Sequence, residues 1–234
     1  MGKIFVVMGK TSSGKDTIYK RVLDTKTLNQ GVREDLKTVV IYTTRPMRPG
    51  ETNGVEYFFV TEEELQKFRE QGKVIEERCF HTVHGPWYYF TVNDGQIDLE
   101  KYSYLMINTL AGFEMIRAYY KKQALSGAEG EVTEQQNDVV VPIYIEAEAK
   151  ERLLRYINRE SLQKKPNYSE VCRRFLADEA DFSEEELLRL GITKRYFNQN
   201  LEQCCKEIEQ DIAAYINGTN PQDAALWERG QSHG

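Results

Sequence analysis

The chain of 234 residues carries 31 Lys and Arg against 37 Asp and Glu, a formal net charge of −6 at pH 7, and 40% of its residues are hydrophobic. That length buries a core without disulfides or metals, and the composition excludes a disordered or fibrous chain. The acidic balance argues against sequence-independent binding to long nucleic acids, which needs a basic surface, but not against binding of a small phosphorylated ligand by a few placed cations and amides.

No stretch approaches the roughly 20 apolar residues of a membrane span. The run Ile4 to Met8 is too short for a signal peptide, so a cytoplasmic protein is expected. Cys79, Cys172, Cys204 and Cys205 form no C-x-x-C pair and read as free thiols.

Apolar runs alternate with amphipathic stretches, which predicts an α/β fold with a mostly parallel sheet. Ile4 to Met8 reads as a buried strand and Lys15 to about Thr25 as a helix with Ile18 and Val22 on one face. Lys37 to Tyr42 reads as a strand, and Thr43 to Gly54, with its Pro and Gly residues, as a long ordered loop. Tyr57 to Val60 is a short strand. Thr61 and Glu64 form a capping box for the next helix, which Gly72 stops. Strands Val74 to Phe80 and Trp87 to Val92 flank a turn at His84-Gly85-Pro86. A central strand at Leu105 to Asn108 leads into a helix from Leu110 to about Gln123. Ser126 to Asp138 reads as a surface loop, and Val139 to Ile145 as a strand whose Pro142 suggests an edge or an irregularity. Helices follow over Glu148 to Lys164, Ser169 to Asp181, and Leu201 to Ile216. In the last, Leu201, Cys204, Ile208, Ile212 and Tyr215 recur at helical spacing, Asn200 caps the start and Gly218 ends it. A weakly structured tail starts at Asn220.

Gly9-Lys10-Thr11-Ser12-Ser13-Gly14-Lys15 fits G-x-x-x-x-G-K between a strand and a helix, the context of a phosphate-binding P-loop. Its glycines let successive N–H groups face one anion, the helix adds its positive end, and Lys15 reaches the β and γ phosphates. ATP is the expected ligand, with Gly9, Ser12, Ser13, Gly14, Lys15, Asp16 and Thr17 around it. Asp16 stands where Ser or Thr is usual, and its carboxylate is a candidate ligand for Mg²⁺.

A second motif runs Thr43-Thr44-Arg45-Pro46-Met47-Arg48-Pro49-Gly50-Glu51-Thr52-Asn53-Gly54-Val55-Glu56-Tyr57-Phe58-Phe59-Val60. Two guanidinium forks in a proline-stiffened loop, with a phenol just beyond, can converge on one phosphate. With the P-loop, this stretch closely resembles guanylate kinase, whose pattern T-T-R-x-x-R-x-G-E-x-x-G-x-x-Y-x-F is matched at every fixed position. The resemblance runs from Lys3 to about Ile216 and is strongest up to Thr91.

The resemblance implies a P-loop kinase core (1–42, 92–147 and 167–219), a small β-rich NMP-binding subdomain (43–91), a helical lid (148–166) and a tail (220–234). It implies that Arg45, Arg48, Tyr57 and Tyr89 hold the acceptor monophosphate. Glu76 would accept from the guanine N1–H and 2-amino group, and the Thr91 hydroxyl would face O6. Arg155, Arg159 and Arg174 resemble the lid arginines, which with Lys15 neutralise the transferring phosphoryl group. An exposed, salt-bridged helix face is the competing reading for these arginines, and the stronger one for Arg152 and Arg173. Asn198, in Phe197-Asn198-Gln199-Asn200-Leu201-Glu202, would lie beside the adenine. The implied activity is transfer of a phosphoryl group from ATP, with Mg²⁺, to a nucleoside monophosphate, GMP or dGMP first. Subdomain and lid closure would exclude water. No nucleic-acid polymer or membrane partner is expected, and the chain is read as a monomer or homodimer.

Three departures from the family pattern stand out. Ile41 and Tyr42 replace a serine pair. Met106-Ile107-Asn108-Thr109-Leu110-Ala111-Gly112 lacks both aspartates of the usual L-D-I-D-x-Q-G. The segment Thr91 to Tyr104, around Asn93-Asp94-Gly95, is turn-rich where the family has a longer helix. They leave open a kinase for a different base. A noncatalytic binding module is the third reading, against which the intact Gly9, Gly14 and Lys15 count.

Overall fold

A computed structural model describes residues 1–24, 32, 35–82, 85–127, 139–219 and 221. The expected loop beyond Gly127, the expected tail from Asn220 apart from Pro221, and His84 of the expected turn lie outside them. The chain divides into two compact units. One comprises Met1–Ile4, Lys37–Tyr104 and Ala111–Val140, the other Phe5–Leu36, Leu105–Leu110 and Val141–Gly234.

A parallel sheet flanked by helices has five strands in the order β2 (Leu36–Thr38), β7 (Ser103–Ile107), β1 (Ile4–Met8), β8 (Val140–Glu146) and β9 (Tyr196–Phe197). All five residues of β1 are buried, which is what an unbroken apolar run in an inner strand requires. Phe5 and Val7 of β1 join Ile143 and Ile145 of β8 in one core. Helix α1 (Lys15–Asp24) adds Ile18 and Val22 to it, and helix α7 (Leu201–Ile216) adds Cys204, Ile208, Ile212 and Tyr215. Asn200 caps α7 by accepting the Gln203 N–H at 3.0 Å. The adjacent thiols of Cys204 and Cys205 are both buried.

Strand β7 is an inner strand, as expected, with β1 in the middle of the sheet. Strand β8 lies between β1 and β9, not at an edge. Its Pro142 is tolerated because β9 pairs only with Ile145 and Glu146, leaving that flank of β8 without a strand partner at residue 142. The same unit holds α4 (Ala149–Ser161), α5 (Tyr168–Asp181) and α6 (Glu184–Arg189). Helix α6 and the two-residue β9 are additions to the sequence reading. Ser183 starts α6 by accepting the Glu186 N–H at 3.3 Å.

In the other unit, helix α3 (Leu110–Gly127) runs further than the pattern predicts, and a second sheet has the order β4 (Phe58–Phe59), β3 (Tyr42–Thr43), β6 (Gly85–Val92) and β5 (Val74–Thr82). The expected single strand Lys37 to Tyr42 is two strands in two sheets. Between them the Gln96 amide replaces a strand partner: the Val40 N–H donates to its Oε1 at 3.2 Å, and its Nε2 donates to the Val40 carbonyl at 3.3 Å.

One face of this second sheet packs Tyr42, Phe90 and Val92 against Leu65 of helix α2 (Glu62–Glu70). Both bonds of the predicted capping box form: Glu64 N–H to Thr61 Oγ1 at 3.2 Å, and Thr61 N–H to Glu64 Oε2 at 2.8 Å. A register shift between Val74 and Glu76 sets the other face. Val74 pairs with Val92 and packs on the core, while Glu76 pairs with Thr91 and turns away from it. Without that bulge, residues 74 and 76 would share one face.

Candidate active site

In the unit containing Phe5 to Leu36, β1 runs into the Gly9–Lys15 loop, which opens α1. A Cβ on Gly9 would lie 2.5 Å from the Ile145 carbonyl oxygen. Gly14 has φ +92°, and a Cβ there would meet the Asn198 amide. Only glycine fits these two close approaches. Ser12 takes a left-handed φ of 62°, and the turn is fastened by the Ser13 N–H on the Lys10 carbonyl at 3.1 Å. Asn198, expected beside an adenine, is buried and donates from Nδ2 to the Ser13 carbonyl at 2.8 Å. Its own N–H is on the Glu146 carbonyl at 2.8 Å. Asn198 therefore ties the sheet end to the loop.

Lys15 is mostly buried, with Nζ 3.9 Å from Asp16 Oδ2, whereas Asp16 and Thr17 are exposed at the start of α1. The Thr11 N–H donates to the Asp178 carboxylate of α5. Beside it, Lys10 donates to Glu179 at 2.6 Å, and Glu179 also pairs with Arg152. Burial pushes the Glu179 carboxyl up, but the hydrogen bonds from Lys10 and Arg152 outweigh it and hold the group below its ordinary value. A cavity of about 250 Å³ opens here, lined by Lys10, Tyr144, Glu146, Arg152, Glu179 and Phe197 among others.

Arg155 and Arg159 of α4 are exposed, the latter over the Tyr156 ring at 4.8 Å. Arg174 and Arg173 of α5 are exposed and share Glu170, each at 2.7 Å. Arg152 departs from the expected exposed, salt-bridged face. It is only 2% exposed, lies 4.9 Å from the Phe175 ring, and leaves its buried Nη1 without a hydrogen-bond partner among the described residues. Nothing local in the sequence marks Asp178, Glu179 and Arg152 as a group, because two helices bring them together.

The other unit carries a second cluster, on the sheet face away from Tyr42 and Phe90. Arg45 is buried, and its Nη1 and Nη2 donate to the two Glu51 oxygens at 3.0 and 2.8 Å. Glu51 also accepts the Arg48 N–H at 2.7 Å. These donors hold its carboxyl below the ordinary range, the Arg45 bond first. The Arg45 guanidinium lies 5.4 Å from the Tyr57 ring centre, and Tyr57 and Tyr89 meet edge to face at 5.6 Å. Burial pushes the Tyr57 phenol up, with Tyr89 adding to the rise and Arg45 and Arg78 pulling against it. Arg45, Tyr57 and Tyr89 thus come together, while Arg48 is exposed beside them.

Next to this group, the Glu76 side chain is fully buried. It accepts Arg78 Nε at 3.0 Å, Arg78 Nη2 at 3.3 Å and Thr91 Oγ1 at 2.8 Å. Arg78 is absent from the expected site. The signal was available: residues two apart on a strand share a face.

A phosphate loop between a strand and a helix, on a parallel sheet flanked by helices, defines a P-loop fold. Residues 1–93 match the guanylate kinase family model. The chain is 27% identical over 222 residues to a guanylate kinase of Mesomycoplasma hyopneumoniae (strain 7448), spanning 94% of this chain and 98% of that protein. It is 42% identical over 87 residues to one of Thermotoga maritima, spanning 37% of each chain. A crystal structure of guanylate kinase from Anaplasma phagocytophilum shares the fold, with a TM-score of 0.53 at 21% identity, over 92% of this chain and 86% of that one. By these matches the chain is similar to guanylate kinases, over residues 1–93 by the family model and over most of its length by the Mesomycoplasma relative.

Proposed function

We propose that the protein transfers the γ-phosphoryl group of ATP to GMP or dGMP. The observation that carries this is the cluster of Arg45, Tyr57 and Tyr89, with Glu76, Arg78 and Thr91 on the same sheet face, in a chain that also keeps the Gly9–Lys15 loop. A guanidinium and two phenols suit a phosphate monoester, and the polar group beside them suits a base.

The donor phosphates sit on the loop amides and Lys15, where phosphate takes the place that Asp178 holds on the Thr11 N–H. Mg²⁺ binds through phosphate oxygens and one or two carboxylates, and Asp16, exposed at the start of α1 beside Lys15, is the residue that would hold it. When bound, Mg²⁺ supplies charge neutralisation between the phosphates.

Arg45, Arg48, Tyr57 and Tyr89 hold the acceptor phosphate. One of its oxygens, already anionic near neutral pH, attacks the γ-phosphorus as the bond to the ADP oxygen breaks. No general base is needed. Positioning, with charge from Lys15, Arg155, Arg159 and Arg174, lowers the barrier. The protein acts in the cytoplasm; no described helix is long and apolar enough to cross a membrane.

The test is coupled ADP release with Mg-ATP and GMP, dGMP, IMP, AMP, CMP, UMP and dTMP. Turnover led by the guanine nucleotides is expected. Turnover led by a pyrimidine nucleotide contradicts the proposal. A different base remains the second reading, because Ile107 and Thr109 stand where the family carries aspartates.

A further inference from the structure

We infer that Arg78 reads the base of the acceptor, and that it reads the O6/N7 edge of a 6-oxopurine. This rests on the proposed function and refines its substrate class. Glu76, the carboxylate expected to accept from guanine N1–H and the 2-amino group, is already engaged. Its side chain has no exposure, Oε2 takes Arg78 Nε, and Oε1 takes both Arg78 Nη2 and Thr91 Oγ1. The Thr91 hydroxyl has one proton, and Glu76 receives it, so it has none for O6.

Arg78 is different. Its side chain is 13% exposed, and no acceptor among the described residues takes Nη1. It pairs in register with Tyr89 and lies close enough to Tyr57 to pull on its phenol, so it borders the phosphate group of the site. Glu76 is a positioning residue in this arrangement: it holds one edge of the guanidinium and thereby orients the rest.

A fixed arginine offers donors only. The purine edge that offers two acceptors is O6 with N7, the pair arginine grips in guanine recognition. Adenine presents N6–H₂ at that edge and sets a donor against a donor. At the corresponding edge uracil and thymine present one carbonyl and no N7, and cytosine presents an amino donor. The 2-amino group, by which guanine and hypoxanthine differ, plays no part. The substrate class is therefore 6-oxopurine monophosphates, IMP with GMP.

Titration calorimetry of the full chain with GMP, IMP, AMP and 7-deaza-GMP tests this, with ADP release measured in parallel. GMP and IMP should bind within about tenfold of each other, with AMP weaker by a further factor of roughly 5 to 150. Replacing N7 by carbon should weaken binding about tenfold. Arg78→Ala should weaken GMP and IMP equally and bring AMP level with them. Because Arg78→Ala leaves a buried carboxylate unpaired, the double variant Glu76→Gln/Arg78→Met is measured beside it and should lose the same discrimination. GMP bound at least 100-fold tighter than IMP, with 7-deaza-GMP equal to GMP, would overturn the inference, as would no binding of any purine monophosphate. Binding in the expected order without ADP formation would overturn the kinase reading and leave the role of Arg78 standing.

Discussion

Lys15 and Asp178 meet the donor phosphates with opposite charge in the proposed site. Lys15→Ala should lower turnover on the order of 10²–10³-fold, the cost of removing one preorganised charge from a transition state. Asp178→Asn should do the reverse for binding, since it removes a carboxylate from the Thr11 amide without removing a phosphate donor. Calorimetry should show Mg-ATP binding more tightly to it than to wild type; weaker binding would show that Asp178 supports the loop. The thiols divide just as sharply. Burial pushes the Cys204 thiol up to about 12, with Cys205 also raised, whereas Cys79 and Cys172 are exposed. Iodoacetamide at pH 8 should therefore label Cys79 and Cys172 in the folded chain, and all four only after denaturation. At this scale the sequence showed the residues of the P-loop and the T-T-R motif but not their partners. The Asp178 bond to Thr11 spans 167 positions, and no local pattern encodes such a pairing. No motif marks Arg78, although strand alternation puts it beside Glu76.

Helices were legible where their signals are local. Thr61 and Glu64 read as a capping box and form both bonds; Thr61→Ala should cost about 1 kcal/mol, a fall of roughly 2–4 °C in Tm. The Ser183-x-x-Glu186 pattern carried the same kind of signal for the six-residue α6 and went unread. Strands fared worse where a distant residue decided them. Gln96 splits the apolar run Lys37 to Tyr42, and the two-residue length of β9 makes room for Pro142. In α5, Glu170 binds Arg173 and Arg174, which lower its carboxyl to about 2, the Arg173 bond first. A carboxyl depressed on folding stabilises the chain above its unfolded value, and the gain fades as pH falls through the folded one. Both arginines and Glu170 are partly solvated, so the gain is below about 1 kcal/mol. Urea midpoints of wild type and Glu170→Gln should differ at pH 7 and converge as pH falls from about 4.5 toward about 2. A gap that widens on acidification would contradict the assignment.

In the proposed function the two units carry different phosphate sites, one around Gly9–Lys15 and the other around Arg45, Tyr57 and Tyr89. Each ligand should stabilise the chain separately. At 100 times its Kd a ligand adds about 2.7 kcal/mol, roughly 5–10 °C in Tm for a chain of this size. Lys15→Ala should abolish the shift with Mg-ATP and keep the shift with GMP, and Arg45→Ala should do the opposite. The fold class was readable because the strand, glycine loop and helix are contiguous. The base edge was not, because it depends on which donors already occupy Glu76. In the proposed reaction the phosphoryl group of ATP lands on a guanine monophosphate. Acid-quenched reactions of Mg-ATP with GMP, resolved by chromatography and mass, test it most directly. Equal amounts of ADP and GDP are predicted; ADP without GDP, or neither product from folded protein, would contradict the account.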